Sequence, residues 1–116
     1  MTGPSRVGAV ASGGMRVALN SIADPGMLSV RLPNGSQVVV IRRGEVVTVL
    51  EDECTHQAMP LSAGELLPDR SIECPWHGAR FDCASGTCLQ GPATDDVATY
   101  DARVEGNEVV IGDRRS

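Results

Sequence analysis

Two short pairs of cysteine and histidine constrain this 116-residue chain more than any other feature. Cys54 and His56 form the first pair, within CTHQAMP, and Cys74 and His77 form the second, within CPWHGARF. The chain has two histidines, and both are used in these pairs. Each pair lies among proline and glycine residues that favour turns. The fold must therefore carry two loops whose thiolates and imidazoles can meet at one metal site.

The mixed pairing of ligands bears on which metal the site would hold. Zinc binds two cysteines and two histidines in many structural sites, but those sites usually pair cysteine with cysteine and histidine with histidine. A 2Fe-2S cluster, with both cysteines on one iron and both histidines on the other, suits mixed pairs better. Zinc stays open as the alternative, and the chain would then be a zinc-stabilised interaction module without a redox role.

The rest of the sequence predicts an all-β fold. Short apolar segments alternate with turns, and no long segment has a helical period. The turn at Pro33-Asn34-Gly35 predicts a hairpin, because an Asn-Gly pair can take positive φ at both central positions. We expect a β-sandwich or small barrel, with strands in the segments MRVALNS, MLSVRL, QVVVIRR, EVVTVL, VATYDARV and EVVIG.

The boxes CTH and CPWHG, followed by FD and by GPA at 91–93, resemble the Rieske family of iron–sulfur proteins. The resemblance implies a β-sandwich base with an inserted cluster-binding lobe at about 51–93, within a domain spanning 15–112. Residues 1–14 would be a flexible arm and 113–116 a tail. One 2Fe-2S cluster would be held by four ligands and covered by the loop at 91–93, and the ligands would be Cys54, His56, Cys74 and His77.

Several positions depart from the high-potential members of that family. Met59 and Trp76 stand where those members have two further cysteines joined in a disulfide, and Ala79 and Phe81 replace a serine and a tyrosine that donate hydrogen bonds to the cluster. Without these donors the reduced cluster is less stabilised. The sequence therefore predicts a potential near the low end of the Rieske range. Trp76 is either a core aromatic or a shield against water.

Charged residues and the remaining cysteines near the boxes have less specific interpretations. The acidic run 51–53 would lower the potential if it lies near the cluster, and it is otherwise a solvated loop or a docking patch. Arg80 is interpreted as orienting a partner, with a solvated charge as the alternative. Cys83 and Cys88 flank a turn that could set them opposite one another, and we interpret them as small half-buried apolar side chains rather than a disulfide.

The resemblance implies an electron carrier that receives single electrons from a flavin-dependent reductase and passes them to a terminal oxygenase. The chain itself would catalyse no substrate chemistry. The alternative is a small Rieske subunit of a larger oxidoreductase such as nitrite reductase. The net charge of −5 and pI of about 4.8 argue against a nucleic-acid partner. No apolar run reaches the length of a membrane span and no secretory signal is present, so we expect a cytoplasmic protein.

Overall fold

The computed structural model describes residues 15–55, 59–75, 78–91 and 95–115, and these residues form ten β-strands and two single 3₁₀ turns. The 3₁₀ turns are Leu19–Ser21 and Leu61–Ala63. The prediction of an all-β fold is confirmed. In chain order the strands are β1 (Met15–Ala18), β2 (Gly26–Arg31), β3 (Gln37–Arg43), β4 (Val46–Glu51), β5 (Glu65–Leu66), β6 (Ser71–Glu73), β7 (Arg80–Asp82), β8 (Cys88–Gln90), β9 (Thr99–Glu105) and β10 (Glu108–Arg114).

Six of the strands form the larger antiparallel sheet, in the order β1-β10-β9-β4-β3-β2. Its strand β3 is buried on both faces. Val39 and Ile41 point to one side, Val38 and Val40 point to the other, and all four are at most 2 % exposed. A strand covered on both faces needs apolar residues at consecutive positions. The run QVVVIRR therefore lacks the polar alternation of a strand with one solvated face.

The two sides of this sheet pack against different neighbours. The side that includes Val38 and Val40 contributes to a base core with residues of β1, β2, β9 and β10. The other side faces the inserted region and contributes to a second core, here called the lobe core. The buried residues of the lobe core are Val39, Ile41, Leu50, Cys54, Leu61, Ile72, Cys74, Ala79, Phe81, Cys83 and Val97.

The inserted region contains a second antiparallel sheet, in the order β5-β6-β7-β8. Its strands have two or three residues each. The sequence predicts no strands in this region, because segments this short show no detectable period. The connection from β6 to β7 carries the second Cys/His pair. This small sheet therefore fixes both ends of the connection that carries Cys74 and His77 in the sequence.

The hairpin predicted at residues 33–35 joins β2 to β3 in antiparallel register. Its backbone differs from the predicted conformation, because Gly35 takes a positive φ of 93° and Asn34 does not. The Gly35 N–H donates to the Leu32 carbonyl at 2.9 Å, and the Leu32 N–H donates to the Ser36 carbonyl at 2.8 Å. The connection is thus a turn through Pro33 and Asn34 followed by a left-handed glycine. The expectation of positive φ at Asn34 is wrong.

The last strand extends beyond the predicted domain end at residue 112. β10 continues to Arg114, and the Arg115 N–H donates to the Thr99 carbonyl at 2.7 Å. The arm at 1–14 and Ser116 lie outside the described residues, so the division into arm, domain and tail stays a prediction. No helix in the described segments has the length and apolar character needed to cross a membrane.

Candidate metal centre

Two loops carry the Cys/His pairs, the first beginning at Cys54 and the second at Cys74. The two cysteines occupy equivalent positions on these loops. Cys54 follows β4 and Cys74 follows β6, and their exposed fractions are 2 % and 1 %. The Cys54 N–H donates to the Met59 carbonyl at 2.9 Å, and the Cys74 N–H donates to the Ala79 carbonyl at 2.7 Å. Each loop is thus closed by a hydrogen bond that joins the cysteine to the fifth residue after it. Both cysteines belong to the lobe core.

The two histidines of the predicted site lie outside the described residues. The structure describes Cys54 and Cys74 and places both in one core, but His56 and His77 fall in the gaps at 56–58 and 76–77. Trp76 and the Pro92-Ala93 part of the covering loop lie outside the described residues as well. Among the described residues, no group of three or more His, Cys, Asp or Glu side chains is placed to hold a metal ion.

The surroundings of the two cysteines fit a site for bound iron. Two thiolates in an apolar core are costly unless a positive centre compensates their charge, and a metal provides that compensation. Ala79 and Phe81, both fully buried, belong to the same core as the cysteines. Their side chains exclude water and supply no hydrogen-bond donor. Two buried thiolates without neighbouring hydrogen-bond donors suit an iron–sulfur cluster in an apolar setting.

The second loop is tightly held at its base. Glu73 and Arg80 are paired in the register of β6 and β7, and the distance from Glu73 Oε2 to Arg80 Nε is 3.3 Å. Gly78 has a φ of 74°, which a residue with a side chain rarely adopts. Arg80 thus pairs with a carboxylate of the same chain while its side chain stays partly exposed, and its role in orienting a partner stays a prediction.

The acidic run at 51–53 is neither a solvated loop nor a uniform docking patch. Asp52 is 5 % exposed, and its carboxylate accepts from the Ser62 N–H and Ser62 Oγ at 2.7 Å and from Ser29 Oγ at 2.8 Å. Glu51 accepts a bond of 2.8 Å from the hydroxyl of Tyr100, whose pKa is raised by burial and by this carboxylate. Glu53 is exposed. Asp52 therefore joins β2 to the 3₁₀ turn at Leu61–Ala63, a role that the sequence analysis missed.

Cys83 and Cys88 are not opposite one another. Cys88 pairs with Phe81 in the register of β7 and β8, and the backbone N–H of Cys83 donates to the Arg70 carbonyl at 3.0 Å. Burial raises the pKa of the Cys83 thiol to about 11. Cys83 therefore stays a neutral thiol at neutral pH, consistent with its interpretation as a small apolar side chain. The suggestion that the turn sets the two cysteines opposite each other is wrong.

A cavity of about 250 Å³ lies beside Cys83, between the ends of β3, β4 and β7. Its lining includes Ile41, Arg43 and Arg70, but neither Cys54 nor Cys74. The cavity is therefore separate from the candidate metal centre.

Comparison of the sequence with known proteins identifies a family and several relatives of this chain. The family model described as the Rieske [2Fe-2S] domain matches residues 15–101. The ferredoxin component of the naphthalene 1,2-dioxygenase system of Pseudomonas aeruginosa is 36 % identical over 95 residues, covering 82 % of this chain and 89 % of that protein. The ferredoxin subunit of 3-phenylpropionate/cinnamic acid dioxygenase of Escherichia coli is 32 % identical over 83 residues, covering 72 % and 78 %.

Solved structures give the same result for the fold. The ferredoxin of carbazole 1,9a-dioxygenase from Nocardioides aromaticivorans superposes with a TM-score of 0.79 at 28 % identity, covering 84 % of this chain and 93 % of that one. A chain from a complex of reduced oxygenase and oxidised ferredoxin in carbazole 1,9a-dioxygenase superposes with a TM-score of 0.81 at 27 % identity, covering 90 % and 97 %.

Proposed function

Because the chain belongs to the Rieske [2Fe-2S] domain family, we propose that it is the ferredoxin component of an aromatic-ring dioxygenase system. It carries one Rieske-type 2Fe-2S cluster and passes single electrons to a terminal oxygenase. The observation that carries the proposal is its similarity, over most of both chains, to ferredoxin components of two dioxygenase systems. The chain serves as a carrier and leaves the substrate chemistry to the oxygenase.

The cluster ligands that we propose are the two cysteines and two histidines of the sequence boxes. Cys54 and Cys74 would hold one iron, and His56 and His77 the other. The matching closure of the two loops by the backbone of Cys54 and Cys74 supports this assignment, as does the burial of both thiols. The bound cluster would supply reversible one-electron chemistry. The protein would orient the ligands and exclude water from the cysteine side.

The buried residues beside the second loop support a low reduction potential. Ala79 and Phe81 are both 0 % exposed, and neither side chain can donate a hydrogen bond. Fewer donors leave the added negative charge of the reduced cluster less stabilised. We place the potential near the low end of the range of about −150 to +300 mV for Rieske centres. That potential suits acceptance of electrons from a flavin-dependent reductase, which is the donor that we propose.

Ala79→Ser is expected to raise the midpoint potential. A hydrogen bond to a charged acceptor contributes about 1.5–3 kcal/mol, so a hydroxyl that bonds mainly in the reduced state would shift the potential upward by roughly 60–130 mV. Ala84→Ser is the matched control, because Ala84 is exposed and lies in the turn after β7. Protein-film voltammetry of both variants provides the measurement. A shift of equal size in both variants, or in neither, contradicts the argument from missing donors.

Stopped-flow mixing tests the proposed function. The protein is reduced with dithionite, freed of excess reductant, and mixed without oxygen with the oxidised terminal oxygenase of a naphthalene or phenylpropionate dioxygenase. We expect the carrier to be oxidised as the oxygenase is reduced, many times faster than in buffer. Oxidation at the buffer rate with both oxygenases contradicts the proposal.

Purification distinguishes the carrier from a fixed subunit. A carrier with transient partners has a small interface and is expected to purify from its natural host without a large chain. Stable co-purification with a large oxidoreductase chain would instead support the subunit alternative. We place the carrier in the cytoplasm, where reducing conditions would keep Cys83 as a thiol.

A further inference from the structure

The connection between β8 and β9 is closed at its base by two hydrogen bonds. The Cys88 N–H donates to Asp96 Oδ1 at 2.8 Å, and the Val97 N–H donates to the Gly86 carbonyl at 2.8 Å. Val97 is 2 % exposed and belongs to the lobe core. Asp96 and Val97 thus anchor the returning end of the connection to the outgoing strand. The two ends of the segment 91–95 are therefore held near each other.

Gln90 and Asp95, at the two ends of this connection, are bonded to different cysteine loops. Gln90 Nε2 donates to the Gly78 carbonyl on the second loop at 3.0 Å. On the first loop, Thr55 Oγ1 donates to the Asp95 carbonyl at 2.7 Å. In the sequence, Gly78 directly follows His77 and Thr55 directly precedes His56. Both bonds thus attach next to the proposed histidine ligands.

We propose that Thr55 and Gln90 are positioning residues that hold the two cluster-binding loops at a fixed separation. Together with the Cys88–Asp96 bond, their bonds to Asp95 and Gly78 form a connection from one loop to the other, here called the clasp. The inference rests on the proposed assignment of the four ligands. It extends that assignment by naming the side chains that relate one loop to the other.

The arrangement of the clasp makes a distinctive prediction, because its bonds act in series. Breaking either the Thr55 bond or the Gln90 bond interrupts the connection between the two loops, so breaking the second bond should add little. Two independent local bonds would behave differently, and their effects would multiply. A double-mutant comparison therefore separates a clasp from two unrelated surface contacts.

The variants are Thr55→Val, Gln90→Met and the double variant, which remove the donors with little change in side-chain size. Thr48→Val in β4 and Arg31→Met in β2 are the controls. Like Gln90, Arg31 donates a side-chain bond to a backbone carbonyl, from Nη1 to Gly35 at 3.2 Å, in the hairpin away from the clasp. Three quantities are measured on the cluster-loaded protein: the rate of cluster loss to an iron chelator, the spread of g values in the electron paramagnetic resonance (EPR) spectrum, and amide exchange at Cys54 and Cys74.

Each single clasp variant is expected to lose its cluster about three- to tenfold faster than the wild type. The double variant should be no more than about twofold faster than the faster single variant, because the bonds act in series. A broader spread of g values is expected in all three clasp variants, since looser loops allow more ligand geometries. Faster exchange at Cys54 and Cys74 should accompany it. The controls should match the wild type in all three quantities.

Single-variant effects that multiply in the double variant would overturn the clasp, and so would clasp variants that behave like the controls. Failure of the proposed function would be visible separately, as oxidation at the buffer rate in the stopped-flow experiment. Failure of the proposed ligand assignment would also be distinguishable. In that case the wild-type protein itself would lack the EPR signal of a Rieske cluster, whereas failure of the clasp leaves that signal intact in the wild type.

Discussion

Replacing Cys54 or Cys74 by alanine is expected to abolish the iron content and visible colour of the purified protein, whereas replacing Cys83 or Cys88 should leave both intact. The four cysteines thus provide their own matched controls. Cys54 and Cys74 each begin a loop closed by their own backbone N–H groups, and each lies within two or three residues of a histidine in the sequence. Losing either thiolate removes half of the protein ligands of one iron.

The environments of the other two cysteines account for the contrast. Cys83 lies in the turn after β7, outside the two loops that carry the Cys/His pairs, and burial raises the pKa of its thiol to about 11. Cys88 is half-buried in β8 and its Sγ lies 3.8 Å from the Gln90 carbonyl oxygen. Cys83→Ala removes a buried sulfur and should cost about 1 kcal/mol of stability through the small cavity left behind.

Iron and acid-labile sulfide assays, with absorption spectra of the four variants, provide the measurement. The account requires two iron atoms per chain in Cys83→Ala and Cys88→Ala, and essentially none in Cys54→Ala and Cys74→Ala. Loss of the cluster from a correctly folded Cys83→Ala variant, with retention in Cys54→Ala, would contradict the assignment of ligands. Far-ultraviolet circular dichroism identifies variants that have failed to fold.

Asp52→Ala is expected to destabilise the protein strongly, and Glu53→Ala is expected to have almost no effect. The Asp52 carboxylate accepts three hydrogen bonds from Ser29 and Ser62, and its removal leaves a backbone N–H and two hydroxyls without this acceptor. Hydrogen bonds to a charged group contribute about 1.5–3 kcal/mol each, and a buried donor left unsatisfied carries its desolvation cost. We expect a loss of about 3 kcal/mol.

The neighbouring residue serves as the control for charge. Glu53 is exposed and adjacent in the sequence, so its removal changes the net charge by the same amount without breaking the network around Asp52. For a domain of this size, about 3 kcal/mol corresponds to a fall of roughly 10–15 °C in the thermal midpoint. Glu53→Ala should stay within about 2 °C of the wild type, since exposed substitutions change stability little.

Thermal unfolding of the cluster-loaded variants, followed by far-ultraviolet circular dichroism, measures the difference. Ser62→Ala should give an intermediate midpoint, because it removes one hydroxyl donor and leaves the Ser62 N–H in place. Equal midpoints for Asp52→Ala and Glu53→Ala would show that the acidic run acts only through its charge, and would contradict the structural role of Asp52.

The sequence was sufficient to predict features that depend on local pattern. Valine-rich segments between turns predicted the strands of the large sheet, and Asn34-Gly35 predicted a hairpin at the right place. The cysteine and histidine spacing predicted the family, which the matched region confirms. The backbone at Asn34 was wrong because a turn through Pro33 and Asn34 needs left-handed φ only at Gly35.

Features that depend on residues distant in the sequence could not be predicted. Asp52 is buried because Ser29 and Ser62, 23 and 10 residues away, supply its donors. Nothing in the run Glu51-Asp52-Glu53 distinguishes the middle residue. The small sheet was missed because its strands are too short to show alternation, and the pairing of Cys88 with Phe81 depends on the register of that sheet.

A redox titration followed by EPR spectroscopy tests the central claim most directly. The account expects a rhombic signal on reduction, with a mean g value below that of all-cysteine clusters and a midpoint near the low end of about −150 to +300 mV. Such a signal would establish histidine ligation and a potential suited to a flavin-dependent donor. A colourless protein that contains zinc and gives no signal at any potential would contradict the account.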